Sequence, residues 1–220
     1  MTGVNDAPVL TAASPSLGST ALNTAKVISL SGTFLNNSTG TTTITDADTS
    51  AIVGGIALTG VTGTGTWAYS LDGSTFTSVG TVSTTSALLL PKTASLRFTP
   101  TGTGSQTATI SYRAWDTTTG TAGNKADATT SGGSTAFSSA TDTASLSVNT
   151  APVLTAASPS LGSTSSAAAK TIALSGTFLN NSTGTTTITD ADTGAVVGGI
   201  ALTGVAGSGT WAYSLDGSTF

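Results

Sequence analysis

All ten acidic residues of this 220-residue chain are aspartates, and two of them, Asp46 and Asp48, are separated only by Ala47. At positions i and i+2 of an extended backbone, both side chains point to the same side. Carboxylates held that close repel each other unless a cation or solvent comes between them. The chemistry open to such a pair is therefore cation ligation. The competing reading is a turn, because an aspartate often accepts a hydrogen bond from the backbone two residues on. The pair returns as Asp190 and Asp192. Asp72 and Asp216 each precede a glycine, a two-residue hairpin signal. Asp127 and Asp142 read as solvated surface charges.

Other chemistries are poorly served. The chain has no His, no Cys and no Glu. That leaves no Ser-His-Asp triad, no Cys-His pair and no Glu general acid. No glycine-rich phosphate loop ending in Lys-Ser/Thr is present. An enzyme is not expected. The six Lys and Arg residues are scattered, which argues against nucleic acid as a partner. The longest apolar run, near Ala51–Val61, is too short to span a bilayer. No signal peptide follows Met1, as expected of a segment that begins inside an array, so that absence excludes nothing. Without cysteine there is no disulfide framework.

The elements that must hold these aspartates read as strands. Thr-rich, β-branched runs alternate with Gly-rich breaks, and apolar residues seldom recur at helical spacing. Strands are expected over Ala7–Ala13, Lys26–Leu35, Ile52–Val61, Gly65–Ser70, Thr75–Val79, Ser86–Leu90, Ser95–Pro100, Gln106–Asp116 and Thr143–Val148. Ser14–Thr24 reads as a polar connection, and Thr41–Thr45 leads into the Asp46 pair. Asn36–Gly40 reads as a turn that also fits a glycosylation sequon at Asn37-Ser38-Thr39. In Gln106–Asp116, Ala108, Ile110, Tyr112 and Ala114 face one way, and Arg113 and Trp115 the other. An exposed Trp115 would be unusual. The 117–140 stretch is too long for a plain turn, so it is expected to fold over that ring through Phe137. Stacking of a ligand on Trp115 is the minority alternative, and Trp67/Tyr69 and Trp211/Tyr213 are expected in the core. These signals predict an all-β protein, an antiparallel β-sandwich.

The chain also repeats itself. Positions 1–76 align without a gap on 145–220 at an offset of 144, and about 62 of the 76 pairs are identical. A period this long means tandem domains rather than solenoid turns. Residues 4–148 are expected to form one whole repeat, and 149–220 the truncated first half of a second, as in a piece of a longer array. That half-repeat is expected to expose apolar faces such as Trp211/Tyr213, or to order only by pairing.

Three short motifs then fall in order: Asn5-Asp6-Ala7-Pro8, Asp46-Ala47-Asp48 and Ala114-Trp115-Asp116, with Thr143–Asn149 leading into the next Ala-Pro. This order resembles the cadherin-like and bacterial Ig-like tandem repeats of giant secreted, RTX-type surface adhesins. The resemblance covers the whole repeat and implies calcium at the junctions between modules. It would place Asn5, Asp6, Asp46, Asp48 and Asp116 around ions at the start of the first repeat. Asn149, Asp190 and Asp192 would be the ligands at the second junction. Calcium takes six to eight hard oxygen ligands, which suits such a set. The chain departs from cadherins in having no Glu, and Thr150 stands where the first linker has Asp6. The second junction should therefore bind fewer or weaker ions.

The resemblance implies a structural extender of a bacterial cell-surface or secreted adhesin, with neighbouring repeats as its partners and no insertion into a membrane. A host surface, glycan or matrix ligand would engage other regions of the full protein. The alternative is a carbohydrate- or matrix-binding module that uses the 117–140 insertion.

Overall fold

The computed structural model describes residues 4–48, 54–182, 184–192, 194–196 and 198–220. The chain divides into two compact units, Met1–Thr150 and Ala151–Phe220. The first holds β1 (Val9–Thr11), β2 (Ser16–Ala21), β3 (Lys26–Ser29), a single helical turn α1 (Leu30–Thr33), β4 (Thr43–Thr45), β5 (Gly55–Val61) and β6 (Gly65–Ser70). It continues with β7 (Thr77–Ser78), β8 (Ala87–Pro91), β9 (Ser95–Pro100), β10 (Gln106–Trp115), β11 (Lys125–Ala126) and β12 (Asp142–Asn149). A six-stranded sheet runs β11-β8-β5-β10-β12-β2, a four-stranded sheet runs β3-β9-β6-β7, and β1 pairs with β4. The unit is all-β with largely antiparallel sheets, compatible with a β-sandwich. Positions 52 and 53 of the strand expected from Ile52 lie outside the described residues.

Period-two alternation places the core. Ala108, Ile110, Tyr112 and Ala114 of β10 are fully buried, together with Leu96 and Phe98 of β9 in the other sheet. Ala144, Leu146 and Val148 of β12 join the same cluster. The opposite face of β10 is covered at its Trp115 end. Trp115 is 2% exposed, bridges to Phe137, and packs in a second cluster with Ala57, Leu89, Ala128 and Ala136. Its Nε1 donates to the Thr119 carbonyl at 2.8 Å. The insertion thus closes over the ring, as expected, and leaves no open face for a ligand to stack on.

Three local expectations change. Ser14–Thr24 is not merely a connection, because it carries β2, which runs parallel to β12 at the sheet edge. Only Leu17 of this strand is buried, so no alternation marks it. The strand expected over Lys26–Leu35 stops at Ser29, whose hydroxyl caps α1 by accepting from Gly32 N at 3.3 Å. Leu30 and Phe34 still reach the core. Asp72-Gly73 sits not in a two-residue turn but in the longer loop between Ser70 and Thr77. Asp72 Oδ1 accepts from Thr75 N, Ser74 N and Ser70 Oγ, at 2.7, 2.8 and 2.8 Å. Those bonds, the Thr75 amide first, hold its carboxyl well below the usual carboxylate range.

The second unit has β13 (Val153–Thr155), α2 (Leu174–Thr177) and β14 (Thr187–Thr189). β13 pairs with β14 in the register that β1 keeps with β4: Val153↔Thr189 there, Val9↔Thr45 here. Residues 198–205 and 209–214 repeat 54–61 and 65–70 without a change, yet form no strand. Trp211, Tyr213 and Leu215 are 50%, 80% and 96% exposed, so Trp211 and Tyr213 do not take the core place expected of them and instead show the exposure expected of a half-repeat.

Candidate functional site at the N-terminal linker

The linker residues are tied to distant parts of the first unit. Asn5 Nδ2 donates to Asp116 Oδ2 at 2.9 Å and to the Thr135 carbonyl at 3.2 Å. Asp6 N–H donates to Asp48 Oδ2 at 3.1 Å, and Ala7 N–H to the Gly133 carbonyl at 2.8 Å. Asp116 directly follows Trp115, the last residue of β10, and its own N–H donates to the Ala136 carbonyl at 3.2 Å. Its Oδ1 accepts from Thr118 N and Thr118 Oγ1 at 2.8 and 2.7 Å. The linker, the Asp46–Asp48 loop, the end of β10 and the 117–140 insertion therefore meet at one end of the sheets.

Within this cluster, Asp46 does two things at once. Its Oδ1 accepts from Asp48 N–H at 3.0 Å, the local turn expected of an aspartate at that spacing. Its Oδ2 is buried with no hydrogen-bond partner among the described residues. A buried carboxylate oxygen left without a donor is costly, and a hard cation or an ordered water would relieve it. The donors that fit a hard cation here are the carboxylates of Asp46, Asp48, Asp116 and Asp6 and the amide oxygen of Asn5. As the side chains stand, no three acidic groups among the described residues are grouped closely enough to ligate one ion. A shared ion would require them to draw together.

The remaining candidates lie elsewhere. Asn149 ends β12, at the opposite end of that strand from Asp142, and its Nδ2 donates to the Thr150 carbonyl at 2.7 Å. In the second unit, Asp192 N–H donates to Asp190 Oδ1 at 2.9 Å, which repeats the turn. The Asn37 side chain of the sequon is occupied: Nδ2 donates to the Ile44 carbonyl and Oδ1 accepts from Ile44 N–H, at 3.2 and 3.0 Å.

One polar centre was misread from the sequence. Asp142 is not a solvated surface charge but 4% exposed. Its Oδ2 accepts from Thr42 Oγ1, Tyr112 OH and Ala13 N at 2.5, 3.0 and 3.1 Å. Its Oδ1 accepts from Thr143 N and Ser14 N at 2.8 and 3.0 Å. Thr42 Oγ1 and Tyr112 OH also touch each other. Burial pushes the Asp142 pKa up, but the bonds from Thr42, Ala13, Thr143 and Ser14 outweigh it and hold the carboxyl below its ordinary value. Burial, with the Asp142 charge beside it, pushes the Tyr112 phenol up. The signal for Asp142 was in the sequence, since it precedes inward-facing Ala144, Leu146 and Val148 by the strand period of two.

No protein-family model matches this chain, and comparison with curated proteins and with solved structures gives no match. Fold and site therefore define a class only: an all-β unit whose N-terminal linker is pinned by aspartates of a loop and a strand end. Among the described residues no helix is long and apolar enough to cross a membrane.

Proposed function

We propose that the first unit is a cadherin-like or Ig-like β-sandwich repeat, serving as a structural extender in a bacterial secreted or cell-surface adhesin. In this reading calcium stiffens the joint at the start of each repeat, and the neighbouring repeats are its partners. The observation that carries the reading is the closure of the linker. Asn5 and Asp6 reach Asp116 and Asp48 across 111 and 42 residues, beside the unpartnered Asp46 oxygen. Linker residues fixed to the body of a domain set the angle of the chain that precedes them. A cation shared by those carboxylates would hold that angle more firmly than these hydrogen bonds alone.

The test is thermal unfolding of the full chain with and without calcium, beside the Asp46→Ala/Asp48→Ala variant. Extracellular calcium modules bind with Kd of about 10⁻⁴–10⁻³ M. At several millimolar calcium one such site adds about 1–2 kcal/mol by mass action. For a unit of this size that raises Tm by roughly 2–8 °C. The parent should show the rise and the variant should not. A parent that does not respond makes these aspartates turn and linker residues, and removes calcium from the reading.

A further inference from the structure

The first unit has two hydrophobic clusters that share no residue. The larger draws on both main sheets, with Leu58, Leu90 and Ile110 of one and Ile28, Trp67 and Leu96 of the other. In the smaller, Ala57, Leu89 and Trp115 of the six-stranded sheet meet Ala128, Ala136 and Phe137 of the 117–140 insertion. The insertion itself adds only the two-residue β11, paired with β8. Segments with few buried apolar contacts and little ladder pairing open at a lower free energy than the core around them. The insertion meets that description, with a small cluster of its own to lose and the main core left intact beneath it.

The linker is tied mostly to this insertion. Residues 132–137 form a turn in which Gly132 N–H donates to the Phe137 carbonyl at 2.8 Å. Within that turn the Gly133 carbonyl accepts from Ala7 N–H, and the Thr135 carbonyl from Asn5 Nδ2. Asn5 also donates to Asp116, but the insertion sets that carboxylate too. Thr118 N and Oγ1 donate to Asp116 Oδ1, and Asp116 N–H donates to the Ala136 carbonyl. Of the linker bonds described above, the one from Asp6 N–H to Asp48 is independent of the insertion. Phe137, which closes the turn, is also the residue that bridges to Trp115.

We infer that the 117–140 insertion is a latch for the linker: seated on Trp115 it fixes the direction of residues 5–7, and its local opening frees them while the main core stays folded. The coupling runs from Trp115 to Phe137, from Phe137 to the turn, and from the turn to Asn5 and Ala7. The element with two states is the insertion, seated or open. The latch needs no ion, and it stands on these contacts independently of the extender and calcium reading.

Amide hydrogen exchange of the full chain, followed residue by residue by NMR at increasing urea, tests the latch without altering the protein. The Ala7 amide is expected to exchange through the same opening as Gly123, Ala128 and Gly132, whose N–H groups donate to the Leu89, Thr84 and Phe137 carbonyls. That opening exposes less surface than global unfolding, so it should depend less on urea than exchange along β10. Two variants separate the levels. Phe137→Ala should speed Ala7 and Gly132 together, roughly tenfold or more. Ile110→Val, in the main core, should speed the β10 amides several-fold and leave Ala7 unchanged. An Ala7 amide that exchanges faster than Gly132, keeps its rate in Phe137→Ala, or quickens with β10 in Ile110→Val overturns the inference. Should Phe137→Ala fail to fold, the urea series and Ile110→Val still decide it.

Discussion

Asp142→Asn is the substitution whose effect is best determined by the structure. It keeps the size of the side chain and an acceptor at Oδ1, but turns Oδ2 into an amide nitrogen facing three donors: Thr42 Oγ1, Tyr112 OH and Ala13 N. A hydrogen bond to a charged group contributes about 1.5–3 kcal/mol, and an unsatisfied buried donor costs about 1–3 kcal/mol. Allowing for relaxation and non-additivity, the variant should lose about 3 kcal/mol, a large fraction of the stability of an ordinary domain. The effect is also positional. Ser14 stands at φ 47 where the chain bends from β1 towards β2, and its amide is held by Asp142 Oδ1. Urea unfolding at neutral pH measures the loss, with Asp127→Asn, an exposed site, as the near-neutral control. The pH dependence has a definite sign. The Asp142 pKa is lower folded than unfolded, so its contribution is present above the ordinary value of 3.8 and is lost as pH falls through the lower folded value. The parent should lose this part of its stability below about pH 4, and the Asn variant should lack it. An Asn variant as stable as Asp127→Asn would refute the buried-carboxylate reasoning.

Three further substitutions separate the other packing claims. Trp115→Ala removes the ring that Phe137 and the Ala cluster cover, and should cost about 3–5 kcal/mol in urea unfolding. Limited proteolysis of that variant should cut first within 117–140; cleavage elsewhere first would mean that the insertion does not depend on the ring. Gly55→Ala would bring a Cβ to 2.0 Å from the Leu90 carbonyl across the β5–β8 ladder and should cost more than about 2 kcal/mol. Gly73→Ala, at φ 78 with open space around it, should cost about 1–2 kcal/mol. Equal costs by thermal unfolding would count against the close approach at Gly55.

What the sequence made legible follows from period and local chemistry. The inward faces of β9, β10 and β12 could be read from alternation alone, because each is long enough to repeat its pattern. β2 could not, since it contributes one buried residue and its partner β12 lies some 130 positions away. The capping of α1 by Ser29 was present as a residue type but masked by the apolar run of Ile28, Leu30 and Phe34. At the site, the Asp46–Asp48 spacing correctly suggested a turn. It gave no means of knowing that one Asp46 oxygen would be used and the other buried without a donor. Asp142 was missed because its polarity outweighed its place in the β12 alternation.

The two copies of the opening segment separate what is local from what is not. The β1–β4 register, the Leu174 turn, the Asn181 bracket on Ile188 and the Asp216 loop all recur in the second unit. Trp211 Nε1 still donates to the Ala206 carbonyl at 3.1 Å, as Trp67 does to Thr62 at 2.8 Å. The strands β5 and β6 do not recur, although their residues do. Their formation therefore depends on β8, β9 and β10, and propensity alone does not supply it. The same division applies to the candidate cation site. The Asp-Ala-Asp turn forms in both copies, so it is a local motif and cannot by itself constitute a site. What the first unit adds is Asp116, brought to Asn5 by the longest strand, and the insertion that receives Ala7 and Asp116. A linker can be held at a fixed angle only where those distant strands are present, which makes completion of the β-unit the precondition for stiffening the joint.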